Sequence, residues 1–185
     1  RPIASLPVWF FDFDNDGDLD VFQQMGGIFL GDRFSNTLYE NPGFGHGWIS
    51  LRLEGVRSNR SAIGARIHLS VSGNQGTRSI YRTVGSGGSF GCNPLRQTIG
   101  IGKAERIDRL EVFWPTTGLT QIFRDVSLDG FIRIVEGEEQ YTTLGLKKLD
   151  FSRQVSVHVS DAGNPQPTPV NVHAVKEKTD RDEGD

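Results

Sequence analysis

The chain has 185 residues and a formal net charge of −3 at pH 7, with 20 Lys plus Arg against 23 Asp plus Glu. Such a length supports a sizeable hydrophobic core, and a single cysteine, Cys92, excludes an intrachain disulfide. The near balance of charge without a basic stripe argues against a nucleic-acid partner. Hydrophobic runs too short to cross a bilayer argue against membrane insertion.

The hydrophobic pattern predicts an all-β protein. Alternating or β-branched runs are separated by Gly, Asn, Pro or Asp, and no window carries a helical stripe. In chain order the predicted strands span residues 8–13, 18–23, 48–53, 65–72, 78–84, 95–101, 107–114, 120–123 and 131–135. Strands at this spacing with turn signals between them are typical of a sandwich or barrel.

Composition breaks the strand rhythm at residues 41–45 and again after Phe151. Beyond the second break, alternating valines predict one more strand over 154–160. The proline-rich stretch 164–169 is typical of an extended linker, and residues 176–185 are almost entirely charged or polar. We therefore expect a C-terminal strand followed by a linker and a polar tail.

The aspartate run near the N-terminus predicts a calcium site. From Asp12 onward, aspartates occupy positions 1, 3, 5 and 9 of a nine-residue loop, with Gly17 at position 6. Calcium takes six to eight oxygen ligands, and glycine allows the sharp turn that brings alternate side chains inward. The predicted ligands are the side chains of Asp12, Asp14, Asp16 and Asp20 and the backbone carbonyl of Asp18. A solvated Asn-Asp-Gly turn is the alternative, but it accounts only for the middle of the run.

Separate motifs in two parts of the chain resemble known families. Residues 9–22 (WFFDFDNDGDLDVF), continuing to 36–41, resemble one FG-GAP/VCBS repeat, the blade unit of calcium-binding β-propellers. The following part resembles the ASPIC/UnbV domain of cartilage-acidic-protein-like proteins. Its matching stretches are residues 48–53, 58–66 (SNRSAIGAR), 86–91, 99–102, 112–115 (VFWP) and 136–137.

These resemblances imply secretion, calcium-stabilised repeats, and a role in adhesion or matrix association without catalysis. We expect a blade-like segment over residues 1–44, an ASPIC/UnbV-like β-sandwich over 45–150, and a terminal strand and tail over 151–185. A propeller needs several blades and this chain has at most one. We therefore expect either a fragment, as a start at Arg1 without an initiator methionine also suggests, or strand partners from the adjoining domain or another chain.

Arginines provide the candidate partner-binding residues. Their planar guanidinium groups suit carboxylates and sulfates. The candidates are Arg57, Arg60, Arg66, Arg82 and Arg96. The alternative is that such arginines pair with Glu54, Asp108 or Glu111 inside the sandwich.

A possible serine nucleophile, Ser89, lies in a G-x-S-x-G pattern at residues 87–91. A nucleophile elbow requires a strand that turns into a helix on an α/β sheet, and the surrounding pattern is all-β. We therefore expect no enzyme activity. The predicted function is that of an extracellular calcium-binding structural or adhesive module acting through a protein partner or self-association, and the alternative is a module that binds an anionic glycan through its arginines.

Overall fold

The computed structural model describes residues 5–25, 36–87, 94–150 and 173–174. All regular structure in these ranges is β, which confirms the predicted fold class. The strands are β1 (Ser5–Phe11), β2 (Asp20–Met25), β3 (Thr37–Tyr39), β4 (Gly47–Glu54), β5 (Arg66–Gly73), β6 (Gly76–Thr83), β7 (Gln97–Gly102), β8 (Arg106–Trp114), β9 (Leu119–Val126), β10 (Gly130–Val135), β11 (Thr142–Leu144) and β12 (His173–Ala174).

Every predicted strand up to residue 135 overlaps an observed strand, whereas the short strands β3, β11 and β12 were not predicted. The strand predicted over 154–160, the linker and the polar tail lie outside the described residues. The division into residues 1–44, 45–150 and 151–185 stays a prediction, since most of the third part is not described. Across the described ranges, no helix has the length and apolar content needed to span a membrane.

One compact unit comprises Arg1–Asp14, Leu19–Pro42 and Leu149–Asp185. Its sheet has the order β1-β2-β3-β12, with β1 and β2 antiparallel and Phe11 opposite Asp20. Aromatic side chains pack along this hairpin, because the Trp9 and Phe22 rings stack with their centroids 5.2 Å apart. The hairpin holds the two ends of the aspartate run in register.

A second compact unit comprises Asn15–Asp18 and Gly43–Lys148. It contains two four-stranded sheets, with the orders β11-β10-β4-β7 and β6-β5-β8-β9. In the first of these sheets β4 pairs with β10 in parallel and with β7 antiparallel. In the second sheet all neighbouring strands are antiparallel.

The inner faces of these two sheets form one hydrophobic core. In β5 the alternation places Ile67, Leu69 and Val71 inside, each no more than 1% exposed. The other sheet contributes fully buried residues from β4, and Trp114 at the end of β8 is also fully buried. Core residues from both sheets include Ile49, Leu51, Ile99, Ile101, Leu110, Val112, Ile132 and Ile134. This packing is that of the predicted β-sandwich.

Candidate metal centre

The aspartate loop connects β1 to β2 through a sharp reversal of the chain. Asn15 and Gly17 have positive φ values of 61° and 95°, which asparagine and glycine adopt more readily than other residues. A Cβ on Gly17 would lie 1.9 Å from Cε2 of Trp48. Gly17 therefore serves both the turn and the close approach of the Trp48 indole.

Three aspartates of the loop converge at its N-terminal half. Asp12, Asp14 and Asp16 each offer a carboxylate oxygen within 4.8 Å of the others. The side chains of Asp12 and Asp14 lie almost wholly inside, with Asp12 4% and Asp14 2% exposed. Like charges this close and this buried repel one another strongly, and a divalent cation at their centre offsets that repulsion. The residues present thus fit a hard cation with oxygen ligands.

Asp20 and Asp18 contact the same loop differently. Asp20 is 1% exposed, and its Oδ2 accepts a hydrogen bond from the Phe13 amide at 3.0 Å. Its Oδ1 accepts another from the Asn41 amide at 2.9 Å. The Asp18 amide donates to Oδ1 of Asp16 at 3.1 Å. These bonds hold the loop closed. Each carboxylate oxygen has two lone pairs, so an oxygen that accepts a hydrogen bond can still bind a metal ion. The predicted roles of Asp20 and Asp18 as metal ligands stay predictions.

A lysine contacts the exposed end of the loop. Nζ of Lys148 lies 2.9 Å from Oδ2 of Asp16, and the Lys148 side chain is 63% exposed. Two hydrogen bonds hold the side-chain amide of Asn15. Its Nδ2 donates to the Lys147 carbonyl at 3.2 Å, and its Oδ1 accepts from Arg96 at 3.1 Å. Lys148 therefore offsets part of the charge of Asp16, and the contribution is small because an exposed ion pair stabilises weakly.

The candidate arginines have different surroundings, and some of them contact rings. Arg66 lies over the Phe113 ring at 5.1 Å and Arg96 over the Phe131 ring at 5.0 Å. Arg82 donates to the Tyr81 carbonyl at 3.0 Å. Guanidinium groups placed over rings contribute cation–π energy within the protein. Part of the role of these arginines is therefore structural.

Arg60 pairs with Glu54, one of the acids named in the alternative, but the Arg60 side chain is 84% exposed and not inside the sandwich. Its Nη2 lies 2.6 Å from Oε1 of Glu54, and Arg133 binds the other oxygen of Glu54 at 2.7 Å. The hydrogen bond from Arg133 is the main cause of a lowered pKa at Glu54. Asp108 and Glu111 are also paired, but their partners are Arg106 at 2.6 Å and Arg109 at 3.0 Å.

A second carboxylate site, at Glu136, was not predicted from the sequence. Its Oε2 accepts hydrogen bonds from the amides of Val56, Arg57 and Ser58 at 2.8, 2.8 and 2.7 Å. Its Oε1 accepts from the hydroxyls of Ser58 and Thr117, both at 2.8 Å. Burial raises the pKa of Glu136, but these hydrogen bonds outweigh it and lower the pKa to about 2. Glu136 is therefore an ionised anchor for the backbone at residues 56–58.

The sequence signal for this anchor was weak. Glu136 precedes Gly137, which has a φ of 88° at the end of β10, and the pair stood out only through the family resemblance. The donors lie up to 80 residues upstream. The possible nucleophile Ser89 and the thiol of Cys92 lie outside the described residues.

Comparison with known proteins supports one of the two predicted resemblances. No curated protein matches the chain, and the FG-GAP/VCBS resemblance of the N-terminal segment stays a prediction. A family match begins in the loop that Glu136 anchors and ends after β10, so it covers most of the strands of the sandwich. Residues 55–141 match the family model described as ASPIC and UnbV.

Proposed function

We propose that this chain is an extracellular calcium-binding structural module that acts through protein–protein assembly and carries out no catalysis. The observation that supports the proposal most directly is the convergence of Asp12, Asp14 and Asp16, whose carboxylate oxygens lie within 4.8 Å of one another. Two of these side chains are almost fully buried. A buried cluster of like charges is costly unless a cation shares the site.

The chemistry of the ligands favours calcium over magnesium. In this proposal Asp12, Asp14, Asp16 and Asp20 supply side-chain oxygens and Asp18 supplies its backbone carbonyl. Calcium accepts six to eight oxygens in flexible geometry, whereas magnesium keeps several waters and takes one or two protein carboxylates. The amide of Phe13, 3.0 Å from Oδ2 of Asp20, holds the two ends of the loop together. The ion then meets a loop whose turn is already formed, which reduces the entropic cost of binding.

The proposal extends to the identity of the N-terminal segment and to its surroundings. We assign residues 1–44 to a single FG-GAP/VCBS-like repeat, supported by a calcium-type loop placed between the paired strands β1 and β2. An extracellular location is consistent with it, because calcium sites of extracellular modules work at high calcium concentration. Assembly is supported by β6 and β9, which are the edge strands of their sheet within the described residues and offer backbone groups to another chain.

Thermal unfolding with and without a calcium chelator tests the metal assignment. Calcium at one hundred times its dissociation constant should stabilise the folded chain by about 2.7 kcal/mol, because it binds the folded state selectively. Asp12→Asn and Asp16→Ala should abolish most of this gain. Asp108→Asn is the matched control, because Asp108 is on β8, outside the aspartate loop, and pairs there with Arg106; it should keep the calcium response. Identical melting with and without chelator would contradict the assignment.

Native mass measurement tests the assembly. We expect a mass above that of the monomer in calcium, and the same species with Asp108→Asn. Calorimetric titration with calcium on the same samples separates ion binding from association. A monomer at all concentrations, with calcium bound, would refute assembly and leave the metal site intact.

A further inference from the structure

A pocket in the second compact unit lies apart from the aspartate loop and from Glu136. Its volume is about 390 Å³, and it lies where the β5–β6 hairpin turn approaches the turn between β7 and β8. Small-molecule sites in proteins have volumes of a few hundred cubic ångströms. Its polar lining residues are His46, Gln75, Thr77, Arg78 and Lys103.

The charge of the pocket is positive. Arg78 and Lys103 both line it, and neither forms an ion pair with any acid among the described residues. The carboxylate of Glu105, close to Lys103 in the sequence, accepts a hydrogen bond from Asn74. Cationic side chains without acidic partners at a concave surface attract anions. The pocket therefore favours a negatively charged occupant.

Arg78 is held in place before any ligand binds. Its Nη2 donates to the carbonyl of Ile101. Gly102 has a φ of 63°, and a Cβ there would lie 3.1 Å from Nη2 of Arg78, so the missing side chain leaves room for the guanidinium. A guanidinium has five N–H donors in a planar fork, and this carbonyl occupies one of them. A fixed fork loses less entropy on binding than a mobile one.

A second glycine brings the two turns together. A Cβ on Gly73 would lie 3.1 Å from the carbonyl oxygen of Lys103 and 3.1 Å from the amide of Glu105. The Glu105 amide donates to the Ser72 carbonyl at 2.8 Å, which fixes the same approach. Lys103 therefore sits at a defined place beside the β5–β6 hairpin and not on an independent loop.

We propose that this pocket binds the oxyanion of a small molecule, a carboxylate, sulfate or phosphate group. The Arg78 fork and the Lys103 ammonium supply charge-assisted hydrogen bonds, which are the strong ones, and Gln75 and Thr77 add neutral donors. Among the described residues, no phenylalanine, tyrosine or tryptophan ring lines the pocket. A sugar ring usually needs such a ring to stack on, so the recognised group is the anion itself and not a pyranose face.

Titration of the full chain with sodium sulfate, sodium phosphate and sodium acetate at constant ionic strength, followed by nuclear magnetic resonance, tests this site. We expect saturable binding of at least one of these anions in a chloride background. Arg78→Met and Lys103→Met should each weaken that binding by about tenfold or more, because each removes a hydrogen bond to a charged group. The preferred anion identifies the ligand class.

Arg82→Met is the matched control. Arg82 lies on β6 with Arg78, four residues further along and on the same face of the strand, but it is not part of the pocket lining. It should leave anion binding unchanged. Arg78 also donates to the Ile101 carbonyl, so Arg78→Met removes a structural hydrogen bond as well as a ligand contact. Lys103→Met tests the pocket without removing that hydrogen bond. The proposal is overturned if no anion saturates, or if Arg82→Met weakens binding as much as the two pocket variants.

Discussion

Glu136 and the aspartate loop are two buried carboxylate sites that differ in the groups next to their negative charge. Glu136 is 7% exposed, and its oxygens accept bonds from three amides and two hydroxyls. In the loop, by contrast, Asp12, Asp14 and Asp16 converge on one another within 4.8 Å. The neighbours of the first carboxylate are neutral donors, whereas each carboxylate of the second site has two other carboxylates close to it.

The difference leads to separate predictions of what each site requires from outside the chain. A carboxylate that accepts several backbone amides is stabilised in its ionised form by the protein alone. Converging carboxylates repel each other, and in the proposed function a cation from solution offsets that repulsion. Burial alone is therefore a poor guide to a metal site, and the identity of the nearest neighbours separates a structural acid from a ligand.

The largest expected loss of stability comes from removing the Glu136 carboxylate. Glu136→Ala should lower the free energy of unfolding by roughly 3 kcal/mol or more, because it leaves several buried donors without an acceptor. Urea denaturation with and without calcium measures the loss, which should be the same in both conditions. Glu139→Ala is the control, since Glu139 is exposed. A loss that depended on calcium would contradict the independence of the Glu136 site from the aspartate loop.

A smaller effect should follow from Gly17→Ala in the aspartate loop. A Cβ there would overlap the Trp48 indole and sit at a φ of 95°, and we expect a loss of roughly 2 kcal/mol together with weaker calcium binding. Gly45→Ala is the matched control, because Gly45 has a φ of 66° and open space around its Cβ position. Equal losses in the two variants would show that backbone strain, and not the contact with Trp48, limits the loop.

The pH dependence of stability is a separate test of the ionised state of Glu136. Its pKa is lowered from 4.5 to about 2, so its contribution to stability is complete above pH 4.5 and is lost as the pH falls towards 2. The stability difference between the wild type and Glu136→Gln should therefore be largest at pH 7 and shrink towards pH 2. Chemical denaturation at a series of pH values measures it. A difference independent of pH would contradict the lowered pKa.

The smallest effect is expected at Lys148. Its exposed ion pair with Asp16, at 2.9 Å, should contribute less than about 1 kcal/mol without calcium. In the proposed site Lys148 would compete with calcium for the Asp16 carboxylate, so Lys148→Met should bind calcium slightly more tightly than the wild type. Calorimetric titration compares the two, with Lys147→Met as the control, since Lys147 contacts the loop through its backbone carbonyl. Weaker calcium binding in Lys148→Met would overturn the competition.

Strands with long alternation could be predicted from the sequence, and short ones could not. In β5 the buried residues Ile67, Leu69 and Val71 alternate with less buried neighbours, so the period was visible. Strands β3 and β11 have three residues each, too few to show a period of two. The parallel pairing of β4 with β10 was also hidden, because the pairing of distant strands depends on packing and not on local sequence.

The same distinction applies to the sites. The convergence of Asp12, Asp14 and Asp16 could be anticipated because the candidate ligands lie within nine consecutive residues, whereas the metal itself stays a prediction. The Glu136 anchor could not be anticipated, because its donors are backbone amides, which every residue carries, at positions far upstream. Arg78 was visible as one arginine among many, and only the tertiary approach of the β7–β8 turn gives it a pocket.

Strand β4 has a consequence for where the sandwich can be cut. The family match spans residues 55–141, and β4 ends at Glu54, immediately before it. An excised fragment 55–141 would keep the whole sheet β6-β5-β8-β9. Of the other sheet it would retain β10 and β7, which are not neighbours because β4 lies between them. Both would expose unpaired edges prone to aggregation, so a fragment that keeps β10 and β7 paired has to include β4 from Gly47 and is larger than the segment by which the family is recognised.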